Sequence, residues 1–420
     1  MYEFTRKTIC DGVSFGSIKD SRFKRSRINA TLVMPLDKKT AAANALLSCV
    51  LTRSCKKYPD FTSLNRKLDE LYGAALYPSV QRFGDFQTVT ISVSGLDDRY
   101  ALNGESISSE ITDLLCSIIF EPNIVDNCFV NDDVEQERRQ LIENIDAEFN
   151  DKRTYAINRC IENMCRDELF AIGKYGSRED VVSLNQENIY KAWKNLLDNS
   201  RVELYMLGNN APDKTFDEFT KYFGGKSRKI TGTTKVISEV AQVKRIIETE
   251  EIVQSKLVMG FRSAAPSDIR GRIANSLMSA ILGGSPTSKL FMNVREKQSL
   301  CYYCASRVDN QKGIMLIDSG VETKNIDKAE SAITEQLNSL MRGNITDEEF
   351  DSAKKVLKNV YISTLDNLGA MQSWYISGVL GSCLTAPIEE AEIVDKITKD
   401  EIIEYANALK PDTVFSLIGN

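Results

Sequence analysis

The chain rhymes with itself, and this limits its architecture more than any other feature. The first half closes on Leu184-Asn-Gln-Glu-Asn-Ile-Tyr190, followed by Val202-Glu-Leu-Tyr-Met-Leu-Gly-Asn209. The second closes on Ile397-Thr-Lys-Asp-Glu-Ile-Ile403, followed by Val414-Phe-Ser-Leu-Ile-Gly-Asn420. In each, a polar capping residue opens a helix and an apolar strand then runs into Gly-Asn. A repeat of about 210 residues is far too long for a solenoid and points to two homologous domains. A single core of ordinary size does not hold 420 residues either.

Periodicity supplies the elements. In the first half, Arg27 to Pro35 reads as a strand, and Thr40 to Cys55 as a helix burying Ala45, Leu46, Cys49 and Val50. Phe61 to Leu71 is a second helix. Val89, Ile91 and Val93 alternate with Thr88, Thr90 and Ser92, the pattern of a half-buried strand. Glu110 to Ile119 is an apolar helix, Asp132 to Ile157 one long charged helix, Asn185 to Leu197 another helix, and Val202 to Leu207 a strand. The second half repeats the order: strand Gln254 to Phe261, helix Ile269 to Leu282, strand Gly313 to Ser319, helices Lys328 to Arg342, Asp347 to Leu365 and Lys399 to Leu409, then strand Thr413 to Leu417. The implied fold class is α+β: two homologous domains, each an antiparallel-rich mixed sheet with helices packed on one face. The division falls at 1–225 and 246–420, with the polar stretch 226–245 as linker.

Composition excludes several chemistries. There is no histidine, so this chain alone has no imidazole base, His-ligated zinc or Ser-His-Asp triad. A Ser or Cys nucleophile would lack its usual activating base. The net charge of −6 argues against bulk nucleic-acid binding. No apolar run reaches membrane-spanning length, and the charged N-terminal residues precede no apolar signal core, so a cytoplasmic location is expected. The ten cysteines are scattered, several in apolar runs, which is the usage of buried free thiols. Cys301 and Cys304 have CxxC spacing. On a regular strand their side chains would point to opposite faces, which disfavours a zinc or redox site. Trp193 and Trp374 read as core or interface anchors.

The most informative stretch is Leu282 to Ser306. The cluster Gly283-Gly284-Ser285-Pro286 is a turn, Ser288 caps a short helix with Leu290, Phe291 and Val294 on its apolar face, and an aromatic strand with Tyr302 and Tyr303 follows. The spacing of Ser288, Leu290, Phe291, Arg295, Glu296, Leu300 and Tyr302 resembles the C-terminal-domain segment S-x-L-F-x-x-x-R-E-x-x-x-L-x-Y of the insulinase/pitrilysin-type (inverzincin) zinc peptidases. The resemblance extends over nearly the whole chain, with Tyr175-Gly176 and Leu207-Gly208-Asn209 as supporting pieces in the first half. It implies that each domain is part of a clamshell half, and that Arg295 and Tyr302 bind the substrate backbone. On residue type alone, Arg295 paired with a carboxylate and Tyr302 packed as an amphipathic ring stand as the alternative. Gln254 falls where the family often has Gln, and fits a sheet-edge hydrogen bond as well as a substrate contact.

The catalytic H-x-x-E-H of that family is missing. The equivalent helix places Ala45, Ser48 and Cys49 at the His, Glu and His positions, and a lone thiol makes no metal site. The later helix from Glu135 resembles the family's second zinc-bearing helix, with Asn144, or Glu143 after a one-residue slip, at the metal-binding carboxylate. A solvated charged face explains that helix equally. The resemblance therefore implies no metal and no catalytic residue in this chain. It implies instead a zinc-bearing paralogous subunit as heterodimer partner, a peptide substrate, and Arg295 and Tyr302 as this chain's contribution. A homodimer in the partner's absence stays open, as does a peptide-binding or scaffold protein with no proteolytic role.

Overall fold

The computed structural model describes residues 2–228 and 232–419. In chain order the elements are β1 (Glu3–Cys10), β2 (Val13–Lys19), β3 (Arg25–Pro35), α1 (Ala41–Leu51), α2 (Phe61–Glu70), β4 (Ala75–Phe83), β5 (Phe86–Leu96), α3 (Ile107–Phe120), β6 (Ile124–Val125), β7 (Cys128–Phe129), α4 (Asn131–Asn150), α5 (Lys152–Met164), α6 (Arg178–Ser183), α7 (Gln186–Asn199), β8 (Arg201–Gly208) and α8 (Asp213–Phe223). They continue with β9 (Lys244–Glu250), β10 (Ser255–Arg262), α9 (Ile269–Leu282), a π-helix (Leu290–Lys297), β11 (Cys301–Asp309), β12 (Ile314–Val321), α10 (Ile326–Met341), α11 (Asp347–Thr364), α12 (Leu368–Leu380), α13 (Pro387–Val394), α14 (Lys399–Asn407) and β13 (Lys410–Gly419). Among the described residues no helix is long and apolar enough to cross a membrane.

Two compact units result. The first comprises residues 1–146 and 172–233, the second 147–171 and 234–420. The linear division at 226–245 assigns 147–171 to the first domain, whereas this segment packs within the second unit. Part of the proposed linker, 229–231, lies outside the described residues.

In the first unit the strand order is β1-β2-β8-β3-β5-β4. β8 lies parallel to β2 and antiparallel to β3, and the remaining pairs are antiparallel. In the second unit the order is β11-β12-β10-β13-β9, with β13 parallel to β9 and every other pair antiparallel. Read from the parallel pair outward, β2-β8-β3-β5-β4 and β9-β13-β10-β12-β11 are one topology used twice. The two rhyming segments are its counterparts: α7 and α14 begin in capping boxes at Asn185 and Thr398, and β8 and β13 are the inserted strands. The sequence repeat is thus a repeat of fold.

The first unit's core gathers Ile28, Leu32, Leu46, Ile91, Leu115 and Trp193, whose indole donates to the Ile119 carbonyl at 2.8 Å. β5 departs from the half-buried expectation. Thr88, Thr90 and Ser92 are buried as well, and Thr90 bonds the hydroxyl of Thr31 at 2.9 Å. The second unit's sheet is covered on both faces. Leu257, Met259, Ile317 and Val414 face α9 to α11, while Val258, Leu316, Phe415 and Leu417 face Ala156, Cys160, Ile161 and Met164 of α5.

The expected helix Asp132 to Ile157 is broken. Asp151 leaves helical geometry and its carboxylate accepts from the Arg153 and Thr154 amides at 3.1 and 3.3 Å, capping α5. The break redirects α5 onto the second sheet. A buried ionic cluster anchors the end of this segment. Glu168 takes Arg262 at 2.6 Å and Lys312 at 2.8 Å, and Arg262 also takes Asp412 at 2.6 Å.

Candidate functional site

The head of β11 is built from the turn upward. Gly283 and Gly284 let the chain reverse after α9; a side chain on Gly283 would meet the Ser306 amide at 2.6 Å. The Ser288 hydroxyl accepts from the Phe291 amide at 3.4 Å. Leu290 and Val294 are fully buried and pin the segment to the core. The helix they anchor is a π-helix rather than an α-helix, a form met mostly in short pieces and often at functional sites. Its wider turn carries Arg295, whose guanidinium lies 4.5 Å from the centre of the Phe291 ring and only 3.7 Å from Glu296, too loose to sequester it. Ser299 then adopts φ of +51°, an uncommon left-handed conformation for a residue with a side chain, and turns the chain into the strand.

β11 is an edge strand, and it starts irregularly. Cys301 faces Val321 while Tyr303 faces Gly320, so two steps on β11 match one on β12. Tyr302 is the extra residue of a β-bulge, and it is thrown outward, 62% exposed. Arg295 and Tyr302 thus flank Cys301, one on the preceding helix and one on the bulge. Both present donors to solvent: a fork of guanidinium N–H groups and a phenol, the groups that hold a peptide carbonyl or an oxyanion. Behind them, Tyr303 lies under the Arg153 guanidinium at 4.3 Å, against Gly320, where a side chain would strike the ring at 2.5 Å. Gln254 accepts from Lys256 Nζ at 2.5 Å beside this glycine.

The other constellation lies on α1 and α4 in the first unit. Ala45 and Ser48 are buried, and the Ser48 hydroxyl donates to the Ala45 carbonyl at 2.7 Å. Cys49 is half-buried. Burial pushes its thiol up to about 11 against the pull of Ser48, with the Glu137 carboxylate adding to the rise. It is therefore a neutral thiol at pH 7, not the thiolate a metal requires. Asn144 is exposed on α4. The carboxylate whose field reaches Cys49 is Glu137, seven residues earlier and two turns along. Glu137 and Asp133 in turn each lie 3.4 Å from Arg53, which stacks on Phe61 at 4.4 Å. A guanidinium thus occupies the carboxylates of this helix pair. No group of three or more His, Cys, Asp or Glu suited to a metal exists among the described residues. This donor set does not fit zinc.

Sequence reasoning missed Arg53 and Glu137. The spacing of Glu137 from Asn144 by two helical turns was the available signal for the latter. It also separated Cys301 from Cys304. The bulge restores both to one face, where they are buried in the same cluster.

A family profile described as "Peptidase M16 inactive domain" matches residues 183–357. The chain is 28% identical to a Bacillus subtilis (strain 168) protein named "Probable inactive metalloprotease YmfF" over 97% of this chain and 96% of that protein. Its fold superposes on a conserved protein from Enterococcus faecalis V583 with a TM-score of 0.91 at 26% identity, over 99% of both chains. It superposes on a peptidase M16 inactive domain from Pseudomonas fluorescens with a TM-score of 0.78 at 13% identity, over 100% of this chain and 98% of the other, a likeness of fold. The chain is thus similar to inactive members of the insulinase/pitrilysin-type M16 peptidase family, and its α1 lacks the zinc motif.

Proposed function

We propose that this chain is the substrate-binding subunit of a two-chain zinc metallopeptidase of the cytoplasm, acting on peptides enclosed between it and a paralogous, zinc-bearing partner. The observation that carries the reading is the pairing of a dismantled α1 with an intact head of β11. Where zinc ligands would stand there is an alanine, a bonded serine and a neutral thiol. Arg295 and Tyr302, by contrast, hold their donors free of strong internal partners. The partner supplies zinc, whose chemistry is to polarise the scissile carbonyl and acidify a water. Arg295 holds the substrate carbonyl in register. Tyr302 donates to the oxygen that gains charge as the carbonyl becomes tetrahedral.

The test is reconstitution with a partner of similar length carrying H-x-x-E-H. Arg295→Ala and Tyr302→Phe should each lower turnover by about 10²- to 10³-fold, the usual loss for one oxyanion donor, with assembly unchanged by mass. Full turnover in either variant ends the reading. The alternative is a peptide-binding or scaffold protein with no proteolytic role. It predicts peptide affinity but no cleavage with any partner, and the exposure of both donors suits it as the second reading.

A further inference from the structure

We propose that Cys301 and Cys304 are a dithiol–disulfide site that sets the position of Tyr302. The argument starts from the strand. Three steps along a regular strand span about 10 Å and leave the first and last side chains on opposite faces, so no bond between them is possible. The bulge at Tyr302 removes the second obstacle. It inverts the alternation, so that Cys301 and Cys304 are both buried in the cluster that includes Leu290, Val294 and Val321, while Tyr302 alone points out. The two thiols share one buried cluster. The neighbouring Cys304 thiol and, less strongly, the Arg295 charge lower Cys301, and the same neighbour together with burial raises Cys304. In the proposed exchange Cys301 attacks and Cys304 resolves, the division of labour a redox pair needs.

A disulfide demands Cα atoms about 4.4–6.8 Å apart. Closing the S–S bond draws the two backbone positions into that range, and the residue between them at the bulge, Tyr302, moves with them. The oxidant is a small-molecule disulfide. The Cys301 thiolate attacks one of its sulfurs, breaking the S–S bond and releasing one thiolate. The Cys304 thiolate then attacks Cys301 Sγ, breaking the mixed disulfide and releasing the second. Two electrons pass from the cysteine pair to the added disulfide, and the two thiol protons end on the released thiolates. A dithiol reductant reverses the sequence.

The full chain is equilibrated with oxidised and reduced glutathione at several ratios, quenched in acid, alkylated and digested with trypsin. Both cysteines fall in the single peptide Gln298–Arg307. The expected result is that this peptide becomes unalkylated and two hydrogens lighter as the ratio rises, and that hydrogen exchange around Tyr302 changes in step. Cys301→Ser and Cys304→Ser should each abolish both effects while leaving the exchange elsewhere as in the wild type. A peptide still doubly alkylated in the most oxidising buffer, or either cysteine found bonded only to glutathione, overturns the proposal. The consequence for ligands rests on the binding role proposed above for Tyr302: oxidation should weaken peptide binding by about 5- to 150-fold, the usual span for coupled sites. A disulfide that forms without changing peptide affinity upholds the thiol site and counts against that role.

Discussion

Replacing Glu168 by Gln should loosen the second unit from within, and the structure sets the size of the effect. The carboxylate lies 2.6 Å from Arg262 Nη2 and 2.8 Å from Lys312 Nζ. Lys312 is 0% exposed; its Nζ also donates to the Lys235 carbonyl at 2.5 Å and lies 5.6 Å from the centre of the Phe170 ring. Arg262 keeps Asp412 at 2.6 Å and the Met164 carbonyl at 2.7 Å. The cluster is neutral as built: two cations, two carboxylates. Glu168→Gln leaves one buried positive charge without its counterpart. Breaking a buried pair in this way costs about 3–5 kcal/mol, and the retained Arg262–Asp412 bond places this case near the lower end. About 3 kcal/mol is a change of ~150-fold in the opening equilibrium. Hydrogen exchange of residues 152–164 and 255–262 reads it directly, because α5 and β10 belong to the unit that the cluster holds.

Adding Lys312→Met to Glu168→Gln restores neutrality with an apolar side chain of similar length. It should recover at least about 1 kcal/mol of the loss. The dependence on pH follows from the same contacts. Burial pushes the Glu168 carboxyl up, yet the Lys312 and Arg262 bonds together outweigh it and hold the group below its ordinary value. Its contribution is therefore complete above the unfolded value of about 4.3 and is lost as pH falls through the lower folded value. Glu168→Gln should remove that acid-sensitive component. Protection reduced by less than about 0.5 kcal/mol, or a double variant weaker than the single one, would falsify the charge argument.

Three further outcomes are expected. Gly176 has φ of +69°, and a Cβ there would lie 2.9 Å from the Ala42 backbone nitrogen at the start of α1, so Gly176→Ala should cost about 2–4 kcal/mol of first-unit stability by urea titration; a loss below 1 would show that the loop yields freely. The Arg270 bond holds the Glu401 carboxyl down to about 2, so its stabilising charge should persist until pH falls towards that value; in Arg270→Ala an NMR titration of Glu401 should move up towards about 4.3, and an unmoved curve would reject the pairing. Cys49, pushed up to about 11 by burial, should alkylate slowly at pH 8 and faster as pH approaches 11, and rapid modification at pH 7 would contradict the neutral thiol assigned to it.

Some elements were legible to the residue and others were not, for identifiable reasons. α9 runs from Ile269 to Leu282 as its pattern implies, because Asp268 caps its first turn at the Gly271 amide and Gly283 ends it. The repeat was legible because β8 and β13 are central strands, with little freedom in their apolar order. The break at Asp151 was not, since an acid within a charged helix reads the same whether it faces solvent or caps a new helix. β4 was missed because Pro78 and its mixed polarity suit an edge strand better than the alternation sought. At the site, Arg295 and Tyr302 were visible through spacing. The bulge that displays Tyr302 and reunites the cysteines is a matter of register with β12, which no local pattern encodes.

The allegiance of 147–171 to the later part of the chain bears on biogenesis. During translation α5 leaves the ribosome with Ala156, Ile157, Cys160, Ile161 and Met164 on one side, well before the strands that will cover them exist. At ordinary elongation rates that interval is on the order of 10–50 s before β13 appears. A greasy helix idle for that long is a natural client for a holdase. Expressing residues 234–420 alone would create the opposite orphan, a sheet with Val258, Leu316 and Phe415 bare. A cut at the linear boundary parts α5 from the sheet that it covers.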